Sequence, residues 1–237
     1  MKITFLSFAI IALPLMANAT GPSISVETGF TSTAIDRGEQ IGGPAHEGAV
    51  IVELPFGSGT AYGGVYRLTP IGPDQAAFPD EVDYFAGYVF SAETLEVDLS
   101  ANWLTFPGDA DESSLEIVAS AVLDAPFSPS MTSFYDVDLE DWGIEVAAGP
   151  SATLGTWTLG LLGRAGFVDP GDGSASRSYF GVEADATHPL GQISEGSLFA
   201  RFEIADEDAF ADSISGGDIT RADADGFAIG VILRVGL

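Results

Sequence analysis

Gly226-Phe227-Ala228-Ile229-Gly230-Val231-Ile232-Leu233-Arg234-Val235-Gly236-Leu237, the last stretch of the chain, decides the fold. Phe227, Ile229, Val231, Leu233, Val235 and Leu237 share one parity, and Ala228, Gly230, Ile232, Arg234 and Gly236 the other. Side chains alternate along a strand, so the first set forms a wholly apolar face and the second a small face with one charge. Such a terminal strand suits the closing strand of a membrane β-barrel; taken alone, it fits a sandwich core equally well.

The same alternation recurs upstream in segments of about ten residues, the length a tilted membrane strand needs. Ser23–Ala34 turns Ile24, Val26, Thr28 and Phe30 outward. Glu47–Phe56 does so with Val50, Val52, Leu54 and Phe56, although Ile51 weakens the pattern. Thr60–Thr69 is read with Tyr62, Tyr66 and Leu68 outward and Arg67 inward. In Glu81–Ser91 the outward set is Val82, Tyr84, Ala86, Tyr88 and Phe90. Leu95–Phe106 is the clearest: Leu95, Val97, Leu99, Ala101 and Trp103 alternate with Glu96, Asp98, Ser100 and Asn102. Ser114–Leu123, Thr132–Leu139, Trp142–Ala148, Trp157–Val168, Ser178–Thr187 and Ser197–Ala205 complete the set. With the terminal strand this makes about twelve, an even number as in bacterial barrels. The uncharged run from Val146 to Gly163 reads as strand, turn, strand, with the turn at Gly149-Pro150.

The connections give an independent check. Arg37–His46 and Pro70–Asp80 are long, Pro107–Ser113 is longer and acidic, and the acidic stretch Asp206–Asp225 is long; Gly57-Ser58-Gly59 and Ala92-Glu93-Thr94 are short. Long loops on one side and tight turns on the other are the habit of an outer-membrane barrel. Glu140-Asp141, which belongs on the long side, is short. Phe56, Tyr62, Phe90, Trp103, Phe106, Tyr135, Trp142, Trp157 and Phe167 lie near strand ends, where aromatic girdles form.

Met1-Lys2, the apolar run Ile3–Met16 and Ala17-Asn18-Ala19 have the layout of a secretory signal cut after Ala19. The run is too short to cross a bilayer as a helix. The 237 residues carry 8 Lys+Arg against 35 Asp+Glu and no cysteine. An exported chain of this size needs no disulfides. The formal charge of −27 argues against nucleic acid and against a basic face on anionic lipid. A hydrophobic content of 46% beside that charge fits apolar bands facing lipid, with acids gathered in loops and lumen. The sequence therefore specifies an all-β protein: a signal peptide over 1–19, then a transmembrane antiparallel up-and-down β-barrel of about twelve strands over 20–237.

Several segments taken together resemble the TorF-like porin family of proteobacterial outer membranes. They are Asp36-Arg37-Gly38, Asp80-Glu81-Val82-Asp83-Tyr84-Phe85-Ala86-Gly87-Tyr88, Trp103-Leu104-Thr105-Phe106-Pro107-Gly108 and Phe134-Tyr135-Asp136. The resemblance covers roughly Ser23 to Ala148 and implies an outer-membrane barrel with a pore role. It brings no catalytic residues. Bacterial barrels usually end in an aromatic residue, and here Leu237 stands last.

Parity directs Glu27, Asp83, Glu96, Asp98, Asn102, Glu116, Asp136, Asp138, Glu145, Glu183, Asp185 and Glu203 to the lumen, opposed by Arg164, Arg201 and Arg234 as well as Arg67. Carboxylates outnumber guanidiniums, so a wet lumen admits cations more easily than anions. Glu96, Asp98, Asp136 and Asp138 are the foremost lining candidates, with Arg164 and Arg234 shaping the constriction. Alternatively, Arg–carboxylate pairs fill the interior and plug it; twelve strands lie between a shut barrel and an open one.

No enzyme activity, cofactor or metal site is expected. There is no cysteine nucleophile, and the strand count puts His46 and His188 on opposite sides of the membrane. Gly108-Asp109-Ala110-Asp111-Glu112 and Arg221–Gly226 read as solvated acidic loops; in the second, Arg221 and Ile232 stand where an EF-hand needs acids. The function expected is an outer-membrane passive channel for small cationic or neutral solutes. Two alternatives stand beside it: a non-conducting barrel whose acidic loops bind a partner or divalent cations, and a soluble periplasmic β-sandwich that binds a ligand. Expected partners are outer-membrane lipid and lipopolysaccharide and the barrel-assembly machinery; a homo-oligomer is compatible with the sequence.

Overall fold

The computed structural model describes residues 21–72, 80–107, 113–206, 208–215 and 218–237. The signal segment 1–19, the acidic run 108–112 and Glu207 lie outside the described residues. The elements are β1 (Ser23–Thr31), β2 (Ala34–Asp36), β3 (Glu39–Gly42), β4 (Ala45–Phe56), β5 (Gly59–Pro70), β6 (Glu81–Ala92), β7 (Leu95–Thr105), β8 (Ser113–Leu123) and β9 (Ser130–Asp136). They continue with β10 (Trp142–Ala148), β11 (Ser151–Leu154), β12 (Trp157–Asp169), β13 (Arg177–Pro189), β14 (Ser194–Ala205), β15 (Phe210–Ser215), β16 (Asp218–Asp223) and β17 (Asp225–Gly236).

Twelve of these strands form one closed antiparallel barrel in the order β1-β4-β5-β6-β7-β8-β9-β10-β12-β13-β14-β17. The terminal strand closes it: β17 pairs with β1 through Val26↔Val235, Thr28↔Leu233 and Phe30↔Val231. It also pairs with β14 through Leu198↔Val231 and Phe202↔Phe227. Hydrocarbon offers backbone groups no partner, so only a helix or a sheet without edges can cross it. The soluble-sandwich reading does not fit this architecture: the wall is one sheet closed on itself, and the other sheets among the described residues are the two-stranded hairpins β2–β3 and β15–β16.

The outer surface carries Ile24, Val50, Val52, Leu54, Leu99, Ile117, Leu161, Leu198, Ile229 and Val231, all exposed. No soluble protein leaves a continuous apolar band of this kind facing water. Tyr84, Trp103, Tyr135 and Trp142 point outward near one end, with the Tyr84 and Trp103 rings 6.3 Å apart. Phe56 and Trp157 do so near the other. Residues 57–58, 93–94, 124–129, 155–156 and 190–193 turn the chain at the end that holds both termini. The longest connections lie at the opposite, long-loop end.

The structure corrects four local readings. In β5 the parity is inverted: Tyr66 and Leu68 are buried and Tyr62 points inward, whereas Val65 and Arg67 face out. Apolar bulk marks the lipid face only where the lumen is wet; at this level the lumen is packed with protein. Arg67 lies on the outer face, ion-paired with Asp80. Tyr62 and the buried Phe106 therefore leave the girdle. Gly149-Pro150 is not the turn. It is an interruption between β10 and β11, where a Cβ on Gly149 would sit 1.8 Å from the Leu161 carbonyl oxygen; the turn is Gly155-Thr156.

The third correction concerns Asp138. β9 ends at Asp136, whose carboxylate accepts the backbone N–H groups of Asp138 and Leu139 at 2.9 and 2.8 Å and curls the chain. Asp138 therefore leaves the lumen for the exposed loop 137–141, where it accepts the Leu115 N–H at 2.9 Å. The connection thought too short is this loop. The fourth correction is the largest: residues 34–42 are neither the end of a wall strand nor an outside loop. They form the hairpin β2–β3, which turns into the barrel.

Leu99 faces outward midway along β7. Leu99→Arg is expected to cost about 2–4 kcal/mol, read by urea unfolding from lipid vesicles, whereas a lumen-facing substitution at Ser100 should cost far less.

Candidate functional site

The hairpin is built around Arg37-Gly38, which joins Asp36 to its cross-strand partner Glu39. Both residues have positive φ, 45° and 75°, the backbone of a two-residue turn whose twist matches its strands. Glycine takes this conformation freely. Arginine does so at a cost of about 1–2 kcal/mol, so its side chain must recover that elsewhere. Gly38 is required twice over, since a Cβ there would stand 2.3 Å from Cβ of Tyr179.

The hairpin reaches across the long-loop half of the lumen and touches most of the wall. Ala34 and Ile41 pack with Tyr66, Leu68 and Phe85 of β5 and β6. Ile35 packs with Ala209, Phe210 and Ala228. At the tip, Arg37 Nη1 lies 2.8 Å from Glu116 Oε2, and its guanidinium carbon is 3.2 Å from the Phe134 ring centre. The Gly38 N–H donates to Glu203 at 3.1 Å. Glu39 meets Arg177 at 2.8 Å and Arg221 at 3.0 Å. Arg177 Nε also donates to the Arg37 carbonyl at 3.2 Å, and Arg221 Nε to the Gln40 carbonyl at 2.9 Å. The second hairpin, β15–β16, covers it from above: Gln40 N–H donates to the Ala209 carbonyl at 2.9 Å, and Ala211 N–H to Gln40 Oε1 at 3.1 Å.

Beside the tip, a cavity of about 20 Å³ is left between Arg37, Glu116, Phe134, Asp141, Val168 and Arg177. That is room for about one water molecule and for no organic solute. Burial raises the carboxyl of Asp141, in the loop above, from its ordinary value, with the Gly171 N–H bond pulling the other way.

The wall residues expected to face the lumen fall into several groups. Arg164 and Arg201 share Glu183 at 3.0 and 2.8 Å and stand 3.9 and 3.8 Å from Glu203, a four-residue cluster across β12, β13 and β14. Asn102 donates to Glu116 Oε1 at 3.3 Å. Asp136, almost fully buried, accepts from Ser114. Glu145 accepts from the Tyr179 hydroxyl at 2.8 Å. Asp83 is buried next to Glu81 on β6. Nearer the short-turn end, Arg234 bonds Glu27 and stands 3.5 Å from Glu195. There Asp98 accepts from Tyr62 at 2.8 Å, Glu96 from Ser91 at 3.3 Å, and Asp185 lies against Gly160.

Sequence reasoning missed Glu47, Glu53, Glu81, Glu195 and Arg177 on the wall. Parity would have found Glu47 and Glu53, which alternate with outward Val50 and Val52. It missed the whole hairpin contribution, Asp36, Arg37, Glu39 and Gln40. The signal was present, as Ile35 and Ile41 flank an X-Gly turn. His46 lies at the long-loop end beside Phe30 and Thr28, and His188 at the short-turn end beside Trp157 and Thr156. They cannot act together.

No protein-family model matches the chain, and no curated protein is similar to it in sequence. Solved structures are similar in fold. An outer-membrane channel from Pseudomonas putida F1 aligns over 92% of this chain and 96% of its own, with a TM-score of 0.56 and 9% identity. The NanC porin aligns over 90% and 100%, with a TM-score of 0.53 and 8% identity. The translocator domain of the autotransporter NalP from Neisseria meningitidis aligns over 95% and 91%, with a TM-score of 0.52 and 15% identity. At such identities the likeness is one of fold. The chain is a twelve-stranded transmembrane β-barrel of the outer-membrane type, with a hairpin of its own seated in the lumen.

The absence of cysteine makes the hairpin directly testable. A thiol at position 40, introduced by Gln40→Cys, should react slowly with a membrane-impermeant reagent, because Gln40 is 9% exposed. Adding Gly38→Val, which collides with Tyr179, should make it react fast. Equal rates in the two backgrounds would mean that the hairpin does not sit as described.

Proposed function

We propose that the protein is a passive channel of the outer membrane for small, preferentially cationic or neutral solutes, shut at its long-loop mouth by the β2–β3 hairpin. It carries out no bond chemistry. The observation that supports this most directly is what fills the lumen. The stopper is a separate segment of nine residues, 34–42, joined to the wall largely through ion pairs and hydrogen bonds. A barrel meant only as an anchor would fill its interior with side chains of the wall itself. Membership of the TorF-like family is part of the same proposal and rests on the short motifs of residues 23–148. The apolar belt and the signal-like leader support export to the outer membrane and contact with its lipid.

Selectivity follows from the lumen below the hairpin. Glu27, Glu53, Glu96, Asp98, Asp185 and Glu195 face it, with Arg234 set against them. In a confined aqueous space such a balance keeps a negative potential that favours cations. The alternative, a non-conducting barrel whose acidic loops bind a partner, draws support from the one-water cavity beside the tip.

Planar-bilayer recording separates the two. Purified wild-type protein should give few or no current steps at rest, and a variant with residues 34–42 replaced by a short Gly-Ser link should give frequent ones. Silence from both would remove the channel reading and leave the anchor. Where the hairpin-less barrel conducts, Glu96→Gln with Asp98→Asn should lower its cation/anion permeability ratio by about two- to threefold, read from the reversal potential in a salt gradient. An unchanged potential would clear both residues of that role.

A further inference from the structure

We propose that the barrel wall carries a guanidinium-binding site, which the chain occupies with its own Arg37 and which receives a guanidinium-bearing solute when the hairpin withdraws. The inference rests on the channel reading for its physiological meaning but not for its chemistry. The site is made by three wall strands, none of them part of the hairpin. β8 supplies Glu116, 1% exposed, whose Oε2 meets Arg37 Nη1 at 2.8 Å. β7 supplies Asn102, which donates to the other oxygen, Oε1, at 3.3 Å and so turns Oε2 toward the cation. β9 supplies Phe134, whose ring centre is 3.2 Å from the guanidinium carbon. A carboxylate oriented by an amide beside an aromatic face is the arrangement that selects a planar, delocalised cation over a hydrated spherical one.

Beyond the wall, the guanidinium has one further carboxylate near it, Asp36 of its own hairpin, 4.0 Å from Nε. Arg37 reaches the site from a turn position that arginine adopts at a cost, with φ of 45°. A free guanidinium carries no such backbone penalty. With the hairpin backbone in place, as in Arg37→Ala, the nearby Arg177 does not compete, since its guanidinium stays committed to Glu39 and to the carbonyl of residue 37. Removing the Arg37 side chain would leave a buried carboxylate and an aromatic face without their cation, a costly vacancy that a soluble cation of the same shape relieves. The hairpin and the solute would then exclude one another: a guanidinium compound entering from the long-loop side displaces the tip and opens the path that it then takes.

The test is direct binding of methylguanidinium chloride, measured by calorimetry on the full-length refolded protein in detergent at constant ionic strength. Arg37→Ala should bind it about tenfold more tightly than the wild type, and Glu116→Gln or Phe134→Leu in that background should lose about tenfold. Equal affinity in wild type and Arg37→Ala, or indifference to both wall changes, would overturn the site. Should Arg37→Ala fail to fold, judged by heat-modifiable migration, Arg37→Met keeps the apolar stem and replaces it. In the wild-type protein, methylguanidinium should speed amide hydrogen exchange of residues 34–42, and sodium at equal ionic strength should not. Equal exchange with both salts would also count against the site. Binding of methylguanidinium by the wild type together with silence of the hairpin-less variant in planar bilayers would refute the channel and leave the site standing.

Discussion

An amide group placed in hydrocarbon must find its partner within the protein, and each one left without costs several kcal/mol. The architecture follows from that constraint. Twelve strands pair in sequence, and the sheet has no edge within the membrane because β17 meets β1 and β10 meets β12. Once the sheet is closed, its two faces are committed to two different media, and alternation along every strand sorts apolar from charged residues. Closure also fixes the size of the interior. Twelve strands enclose more room than their own inward side chains fill. The β2–β3 hairpin takes up the long-loop half of the surplus.

Charge governs how that hairpin is held. The chain is strongly acidic, and beyond Lys2 its basic residues are all arginines. Every arginine is ion-paired, and all but Arg67 lie within the lumen or over its mouth. A guanidinium is the cation best suited to such places, being weakly hydrated and able to serve several acceptors in one plane. Arg177 and Arg201 illustrate this, each bonding a carboxylate and a hairpin carbonyl at once. Buried pairs of this kind add little net stability when intact, yet breaking one is expensive. They therefore serve to fix one seat for the hairpin rather than to strengthen the barrel, whose stability resides in its ladders and its lipid-facing surface.

Parity read the wall correctly wherever the lumen side is polar. Leu95–Thr105 is the clearest instance: Leu99 and Trp103 face out, and Asp98 accepts from Tyr62 inside. It failed in β5, where Tyr66 and Leu68 are bulky and apolar but point inward. The rule equates apolar with lipid, and at this level the barrel is dry on both sides. Asp138 departs from parity for another reason. Its parity is that of Asp136, but Asp136 uses its carboxylate to end the strand, and alternation has no meaning past that point. The hairpin itself reads as an outside loop in the sequence because the chain leaves and re-enters the wall there.

What the sequence determined by itself is whatever depends on neighbours along the chain: strand after strand with two unlike faces, turns of unequal length at the two ends, and hence a membrane barrel of about twelve strands. What only the tertiary structure decided depends on residues far apart. Arg37 stands 79 positions before Glu116 and 97 before Phe134 by number, and nothing local in either segment announces that they meet. Whether a lumen is open depends on where a loop goes once the sheet has closed around it, and that is a property of the enclosed space, not of any stretch of chain.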